Sequence, residues 1–419
     1  GAHAARTLAK SLPPSERVVL LEQRSHLAHL YVLPRFAVVE GYEEHAFIPY
    51  TNIFATAEDE AGKMKAGGEQ KVPGQSKSGS DQDGKEKSTG DKKQETTIRF
   101  KYLIYATGSR LPHPLIRLPK KKMEAKDWLK ENQRAVREAT RVLVVGGGAL
   151  GIQFASDIKA YFPTHHVILI NSRSRFLSIY EPGMHDHIQA DLEALGVEVI
   201  HNERVEDLDD LERQRDDAAR QEGREGKVGR RMVKTRLKSG AVIESDLQII
   251  CTGQKHNHEL ISQEEGSLLS DRGSLNVKSS MQLDHPDWNH VFAIGDVANT
   301  SAIKAGHTGW YQAGVAAANI VKMVKDGDGA ELDDYSPTKP MIKVTVGKVS
   351  REGRPDVFGF VPVADSARDL HEFPQNIAVT QMWDEEGKPK VSRTDDLPED
   401  LQAGLMWTAM GADTNDMSL

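Results

Sequence analysis

Cysteine is almost absent from this sequence, which contains Cys251 and no other cysteine in 419 residues. A single cysteine excludes an internal disulfide framework and any C-x-x-C redox pair within the chain. Cys251 directly follows Ile249 and Ile250, and this context predicts a buried strand residue rather than a nucleophile. The sequence therefore argues against a protein that relays electrons through two of its own thiols.

Long apolar runs and a basic charge balance are also lacking. No apolar run reaches the roughly 18 residues of a membrane-spanning helix, and the formal net charge is −8. A general nucleic-acid binder would be basic, so we expect no nucleic-acid partner. Aromatic residues make up 6% and charged residues 28% of the chain, as in an ordinary globular protein. The length predicts two or three domains.

The most informative stretch is 141–157, with the sequence RVLVVGGGALGIQFASD. Its apolar residues 142–145 predict a buried parallel strand, and helical spacing follows the glycines. Gly146, Gly148 and Gly151 form G-x-G-x-x-G. In that order they allow a tight turn, the close approach of a pyrophosphate, and close packing of the helix on the strand. The helix N-terminus then faces the phosphates. A glycine-rich loop without a ligand is the alternative, and the flanking strand and helix favour a dinucleotide.

A second apolar strand, 166–170, ends about 20 residues later, where a dinucleotide fold places its ribose-binding residue. That residue is Asn171, and Arg173 and Arg175 follow it. An acidic side chain there would hold the ribose 2′-hydroxyl of NADH, whereas a neutral one beside arginines accommodates the 2′-phosphate of NADPH. The alternative is a solvated turn that contains arginines by chance.

The first residues are similar to the inside of another nucleotide motif. Residues 1–10 predict a helix rich in small residues, Arg17–Leu21 predicts a strand, and Glu22 follows it. The spacing from Gly1 to Glu22 matches that from a third fingerprint glycine to its ribose-binding acid. We therefore expect Gly1 to be the third glycine of a fingerprint whose strand and first two glycines lie before it. A surface helix, a strand and a solvated glutamate are the alternative.

Arg35 lies in an otherwise apolar stretch, 25–40, that also carries His26 and His29. The arginine either faces a flavin or a phosphate, or is an exposed surface residue. Two histidines without thiolate or carboxylate partners do not make a metal site, so we expect packing or hydrogen bonding for them and no metal.

Three later strands each end in small or turn-forming residues: 97–110 runs into Ala-Thr-Gly, the strand before Cys251 runs into Thr-Gly, and 290–294 runs into Gly-Asp. Glycines at these ends let the backbone approach a cofactor closely, and a carboxylate can accept hydrogen bonds from ribityl hydroxyls. Each motif alone is also a common turn. The residues concerned are Thr107, Gly108, Gly253, Gly295 and Asp296.

Two polar segments interrupt this order. Residues 56–95 lack large apolar side chains almost entirely, which predicts a disordered insert, and 206–231 is a charged insert that predicts a solvated helix or loop. Near the end of the chain, 372–419 carries Trp383, Trp407, Met406 and Met410. These side chains either contact a membrane or a quinone or pack a small C-terminal core, and we favour the core.

Taken in order, these motifs resemble the flavoprotein reductases of the pyridine nucleotide-disulfide oxidoreductase superfamily. The resemblance is closer to apoptosis-inducing-factor-like proteins of the ferroptosis-suppressor type, including fungal ones, and covers roughly 1–55 and 97–325. It rests on residues 1–22, YATGS at 105–109, GGGALG at 146–151, CTG at 251–253, FAIGD at 292–296, GIQFASDIKAYFP at 151–163, VILINS at 167–172 and LEALGVEVIHNERV at 192–205.

The resemblance implies an α/β fold of two interleaved Rossmann-like dinucleotide-binding domains with a small C-terminal α+β part. Residues 1–118 and 254–330 would bind FAD, 119–253 would bind NAD(P)H, and 331–419 would complete the flavin site or form a dimer surface. The implied roles are ribose binding for Glu22, proximity to the flavin diphosphate for Thr107 and Gly108, binding of the ribityl chain for Asp296, and approach to the flavin ring for Lys304 and Ala305. The sequence departs from the family pattern at Gln153, where a glutamate is usual, and this weakens the hydrogen-bond account of nicotinamide binding.

The implied activity is transfer of a hydride from NAD(P)H to FAD and of electrons onward to a quinone or another small acceptor, with no obligatory protein acid or base. The implied location is the cytoplasm, or the surface of mitochondria or lipid droplets with a peripheral membrane contact. Two alternatives stay open: a degenerate flavoprotein that serves as an interaction module, and a disulfide reductase, which the single cysteine disfavours.

Overall fold

The computed structural model describes residues 1–54, 97–110, 119–221, 232–262, 266–327, 329–348, 376–396, 406 and 410. The disordered insert expected at 56–95 and Trp407 lie outside these residues. The helices are α1 (Ala2–Ser11), α2 (Leu33–Phe36), α3 (Lys122–Glu138), α4 (Ala149–Tyr161), α5 (Pro182–Leu195), α6 (Leu208–Gln221), α7 (Glu259–Ser262) and α8 (Gly306–Asp326). The strands are β1 (His26–Ala28), β2 (Phe47–Pro49), β3 (Leu103–Tyr105), β4 (Ser109–Arg110), β5 (Arg141–Val145), β6 (His166–Asn171), β7 (Glu198–His201), β8 (Val233–Arg236), β9 (Val242–Ser245), β10 (Leu247–Ile250), β11 (Lys255–His256), β12 (Leu275–Asn276), β13 (Val291–Ala293), β14 (Ala298–Asn299), β15 (Ile342–Lys348), β16 (Asn376–Trp383) and β17 (Pro389–Asp396).

A four-stranded parallel sheet with the order β10-β5-β6-β7 forms the middle of the chain. After the exposed Arg141, the interior strand β5 is apolar over Val142–Val145, where both of its faces are covered. Val142 and Val144 pack in a core with α3, α4 and α5, whereas Leu143 and Val145 pack in another with α6 and the β8–β9 hairpin. The sheet confirms the dinucleotide fold that the glycine fingerprint predicts.

The second core is assembled from segments far apart in sequence. Strand β13 pairs in parallel with β3, so residues 291–293 lie beside 103–105. The core around this pair includes Leu8 of α1 and Ala313, Ala316 and Ile320 of α8. The pairing confirms the interleaved arrangement. In the sequence, β3 precedes and β13 follows the residues 141–250 that form the sheet of β5, β6, β7 and β10, which has its own core.

The C-terminal strands β15, β16 and β17 form an antiparallel sheet. It packs on α4 and α5, and Val344, Val346 and Val379 join the core of the central sheet. Met410, with Met406 packed beside it, contacts Ile48 near β2 instead of forming a core of its own. The described residues of the C-terminal region therefore pack against both the central sheet and the segment around β2.

Two predictions of local structure need correction. Arg17–Leu21 is not a strand: no described strand pairs with it, and Val19 and Leu21 are 52% and 68% exposed. An extended segment becomes a strand only when a neighbour supplies a hydrogen-bond ladder. The charged insert contains helix α6, and it is not wholly solvated, because Leu211 and Arg215 are buried. None of the helices in the described residues has the length and apolar character needed to cross a bilayer.

Candidate functional site

At two positions of the fingerprint loop and the helix after it, the neighbouring backbone leaves room for no residue larger than glycine. Gly146 has φ +116°, and a Cβ added there would lie 2.6 Å from the carbonyl oxygen of Cys251. A Cβ on Gly151 would lie 1.9 Å from the carbonyl oxygen of Gly146. Real Cβ atoms do not approach this closely, so these two glycines let α4 begin directly against the ends of β5 and β10.

Gly148 is different, because nothing lies within 4 Å of the place a Cβ would occupy. It is the N-cap of α4, and no side chain caps that helix end. The first amides of a helix need acceptors, and the helix dipole favours a negative one. An open, uncapped end of a 13-residue helix beside a glycine loop fits a nucleotide pyrophosphate.

Asn171 ends β6 and is 5% exposed. A Cβ on Gly147 would lie 2.7 Å from its side chain, so the asparagine lies over the fingerprint loop. Arg173, two residues further on, is exposed, and its guanidinium donates to the hydroxyl of Ser178. The structure thus brings Asn171 to the loop and leaves Arg173 at the surface beside it. Sequence reasoning missed His201 of β7, whose ring meets the Asn171 amide at 3.0 Å.

The Ala-Thr-Gly turn after β3 is tied to the segment after Cys251 by Asn257. The Thr107 hydroxyl donates to the Asn257 carbonyl oxygen at 2.5 Å, and the Asn257 amide donates to the Thr107 carbonyl oxygen at 2.9 Å. Gly108 and Gly253 have φ of +67° and +70°, which favours glycine. The two Thr-Gly turns predicted from the sequence therefore meet, and Asn257 was not predicted because nothing near it in sequence marks it.

The Gly295-Asp296 turn lies beside the Ala-Thr-Gly turn that follows β3. Gly295 has φ +75°, and its amide donates to the side-chain oxygen of Gln312 at 2.7 Å. Asp296 accepts a hydrogen bond from the Ser109 hydroxyl at 2.7 Å. A Cβ on Gly309 would lie 3.3 Å from the Cα of Gly295, so small residues let α8 approach the turn closely.

Lys304 and Ala305 lead into α8, whose N-terminus has no side-chain cap. Lys304 is half-buried and donates to the Ala298 carbonyl oxygen. Burial lowers the pKa of its ammonium group, and nearby Asp296 partly offsets this. Tyr31 accepts a hydrogen bond from the Gly306 amide at 3.3 Å, and burial raises its pKa.

Two buried polar atoms in the first turn of α8 have no partner in the described part of the chain, namely His307 Nε2 and Thr308 Oγ1. Buried polar atoms are nearly always satisfied, so unpaired ones at an uncapped helix end point to a ligand. A flavin, with its ring carbonyls and ring nitrogens, fits this position between Asp296, Lys304 and the helix end.

The two N-terminal candidates lie at the edge of this region. A Cβ on Gly1 would lie 3.3 Å from the Cβ of Ala106, so the start of α1 lies against the Ala-Thr-Gly turn. Glu22 is exposed, and its carboxylate accepts a hydrogen bond from the amide of Arg24 at 3.0 Å. Their ribose and phosphate roles stay predictions.

Arg35 corrects both sequence alternatives. It is 5% exposed, so it is not a surface residue, and its guanidinium binds Asp157 of α4 through two hydrogen bonds of 2.7 Å. It also donates to the Gly347 carbonyl oxygen of β15 at 3.2 Å. A guanidinium already neutralised by a buried carboxylate is not a phosphate ligand. The cause lies in α4, which places Asp157 toward α2, 122 residues away in sequence.

Cys251 directly follows β10 and is half-buried. Burial raises the pKa of the Cys251 thiol, which keeps it a weak nucleophile. His26 and His29 lie at 1% and 6% exposure. Across the described ranges no group of three or more His, Cys, Asp or Glu side chains is placed to hold a metal ion.

Comparison with known proteins agrees with this geometry. Residues 1–318 match the family model described as pyridine nucleotide-disulphide oxidoreductase. Fe-regulated protein 8 of Mycosarcoma maydis is 34% identical to the chain, over 95% of the chain and 94% of that protein. Ferroptosis suppressor protein 1 of Taeniopygia guttata is 27% identical, over 83% of the chain and 84% of that protein. Apoptosis-inducing factor homolog B of Dictyostelium discoideum is 25% identical, over 60% of the chain and 65% of that protein.

The fold, the two uncapped helix ends beside glycine turns, and the match over residues 1–318 agree on one assignment. The resemblance read from the motifs is confirmed, as are FAD and NAD(P)H as the cofactors. This chain belongs to the pyridine nucleotide-disulphide oxidoreductase family and is an NAD(P)H-dependent flavin oxidoreductase of the apoptosis-inducing-factor-like type.

Proposed function

We propose that the acceptor of this oxidoreductase is a quinone, which takes electrons directly from the flavin. The observation that carries the proposal is the state of Cys251, which is the only cysteine and whose thiol is desolvated. Disulfide reductases need a thiol pair beside the flavin, and no such pair exists here. A small acceptor that reacts at the flavin itself is what remains, and the resemblance to ferroptosis-suppressor proteins favours a quinone.

In this proposal the residues of the chain bind and orient, and the cofactors supply the redox chemistry. FAD, when bound, accepts a hydride from NAD(P)H and releases electrons to the acceptor. The amides at the start of α4 would bind the nicotinamide pyrophosphate, and those at the start of α8 would bind the flavin. Asp296 would accept hydrogen bonds from the ribityl chain, and Lys304 would supply a positive charge to the flavin. Orientation of the two rings accounts for most of the rate.

NADPH serves at least as well as NADH in this proposal. Asn171 carries no charge that would repel a 2′-phosphate, and exposed Arg173 lies two residues away to pair with it. Steady-state kinetics of wild type and Arg173→Ala with both nucleotides test this point. A strong NADH preference that Arg173→Ala leaves unchanged would show that the arginine does not bind the phosphate.

The acceptor is tested by anaerobic reduction of the flavin with one equivalent of NADPH, followed by a water-soluble short-chain quinone, an aromatic disulfide or oxidised glutathione. We expect the flavin colour to return with quinone and not with either disulfide, in wild type and equally in Cys251→Ala. Recovery only after dioxygen is admitted would overturn the quinone and leave an oxidase. Recovery with a disulfide that Cys251→Ala abolishes would overturn the argument from the cysteine.

A further inference from the structure

A chain of polar side chains runs behind the fingerprint loop, from α5 through β7 to β6. Gln189 of α5 donates through Nε2 to Glu193 Oε1 at 2.7 Å, so its oxygen Oε1 points the other way, to His201 Nε2 at 2.9 Å. An amide oxygen is only an acceptor, so the proton of the neutral imidazole lies on Nε2. His201 Nδ1 also lies 3.3 Å from the Arg173 carbonyl oxygen, a longer contact than its 3.0 Å distance to the Asn171 amide nitrogen. Because the single proton of the neutral ring is on Nε2, Nδ1 has none to donate to that carbonyl and is an acceptor.

Asn171 is the partner of that acceptor. Its amide nitrogen lies 3.0 Å from His201 Nδ1 and donates to the Arg173 carbonyl oxygen at 2.9 Å. The two protons of the Asn171 amide are thus both committed. Among the described residues no donor lies at hydrogen-bond distance from its oxygen, Oδ1.

The free oxygen of Asn171 faces the nucleotide loop. A Cβ on Gly147 would lie 2.7 Å from Oδ1, so the oxygen lies directly over the backbone of the fingerprint. At the end of the second strand of this fold, a carboxylate accepts a hydrogen bond from the ribose 2′-hydroxyl. The amide oxygen of Asn171 offers the same acceptor there, without the charge.

We propose that His201 is a positioning residue that sets the nucleotide preference through Asn171. By accepting from the Asn171 amide nitrogen, it turns the amide oxygen toward the ribose and strengthens the binding of a 2′-hydroxyl, which limits the advantage that Arg173 gives to a 2′-phosphate. This inference rests on the proposed nicotinamide site at the fingerprint loop. Without His201, the Asn171 amide is free to turn its nitrogen toward the loop and to donate to a 2′-phosphate.

The test compares NAD⁺ and NADP⁺ binding to the flavin-loaded protein by calorimetry, which needs no turnover. His201→Phe keeps an aromatic ring against Phe176, at 4.9 Å in wild type, but removes the acceptor. We expect the ratio of the two dissociation constants to shift toward NADP⁺ by about tenfold. In His201→Asn, an amide oxygen near the place of Nδ1 restores the acceptor and returns the ratio to within about twofold of wild type.

His185→Phe is the matched control, because His185 packs against His201 at 5.5 Å without bonding to Asn171. We expect it to leave the ratio unchanged. Gln189→Leu removes the partner of His201 Nε2 together with an exposed hydrogen bond to Glu193 within α5, and it leaves β7 unchanged. We expect it to shift the ratio about threefold toward NADP⁺.

An unchanged ratio in both His201→Phe and Gln189→Leu, with both nucleotides still bound, overturns the role of His201 and leaves the nicotinamide site intact. An equal shift in His185→Phe also overturns it, because packing alone would then set the ratio. If neither nucleotide binds to wild type, or if Gly148→Val binds both as tightly as wild type, the nucleotide site itself is misplaced, and the proposed function fails with it.

Discussion

The two nucleotide regions of this chain are built in different ways. The nicotinamide side is contiguous: β5, the glycine loop, α4, β6 and Asn171 follow one another within 141–171. The flavin side is assembled from turns that lie far apart, since Ser109 and Asp296 are 187 residues apart and Thr107 and Asn257 are 150 apart. The contiguous site can be predicted from the spacing of its motif. For the assembled site, the sequence indicates the residues but not which of them contact each other.

The two regions nevertheless use the same device, an uncapped helix end behind a glycine turn at a strand end. On the nicotinamide side, Arg35 of α2 binds Asp157 of α4, and α2 packs in the same core as α4. The helix that carries the nicotinamide fingerprint is therefore fixed by a residue 122 positions earlier in the sequence.

Substitutions at Gly148 and Gly151 distinguish glycines that the fold requires from glycines that leave space for a ligand. In Gly151→Val the added Cβ would overlap the Gly146 carbonyl oxygen, 1.9 Å away, so α4 must move. We expect a loss of more than about 3 kcal/mol in the free energy of unfolding. Gly148→Val meets no protein atom within 4 Å and has φ −81°, ψ 176°, so we expect a change below about 1 kcal/mol. Denaturant unfolding of both variants checks this, and equal losses would contradict the assignment of the open space to a ligand.

Asp157→Asn breaks the link between α2 and α4. It leaves Arg35 as a buried charge without its carboxylate, and we expect a loss of about 3–5 kcal/mol in the free energy of unfolding. Asp191→Asn is the control: the Asp191 carboxylate is 11% exposed, but its partner Arg393 is 39% exposed, so water solvates the arginine that is left behind and we expect a loss of about 1 kcal/mol. A double-mutant cycle of Arg35 and Asp157 measures the coupling. Similar losses in Asp157→Asn and Asp191→Asn would show that burial adds nothing to the link.

Acid should destabilise the folded chain around β1 through two buried histidines. Burial lowers the pKa of His26 and of His29 from 6.5 to about 4. The unfolded chain therefore takes up protons below pH 6.5 while the folded chain does not. The stability is fully present above pH 6.5 and is lost as the pH falls toward 4.

We expect each of these histidines to contribute on the order of 2 kcal/mol to the loss between pH 7 and pH 4. Unfolding of His29→Phe at both pH values checks this, with exposed His290→Gln as the control. If His29→Phe loses as much stability with acid as wild type does, the histidine is not held neutral by burial.

The smallest effects are expected for single flavin contacts, because the assembled site divides its binding among many segments. Asp296→Ala should weaken FAD binding about tenfold. Ser109→Ala, which removes the 2.7 Å donor to that carboxylate and a longer contact with Gln254, should weaken it about threefold. Flavin fluorescence released on dilution measures both. A larger loss in Ser109→Ala than in Asp296→Ala would place the ligand at the serine instead.

Particular residues show how much of the structure could be predicted from the sequence. The strand, loop and helix at 141–158 were predictable because their pattern is local. Arg35 was not predictable, because its partner Asp157 is set by how α2 packs on α4. Arg17–Leu21 has the composition of a strand, but the ladder that would make it one is absent from the described residues.

The assignment of the nicotinamide site to the loop after β5 is tested most directly by anaerobic flavin reduction in wild type and Gly148→Val. NADPH is mixed with each flavin-loaded protein, and the loss of flavin colour is followed over time. The Gly148 amide region is placed at the nicotinamide pyrophosphate, so we expect wild-type flavin to bleach, while Gly148→Val keeps its flavin and bleaches at least 100-fold more slowly, about 2.7 kcal/mol in barrier. Bleaching of Gly148→Val at the wild-type rate would show that the loop after β5 is not the nicotinamide site.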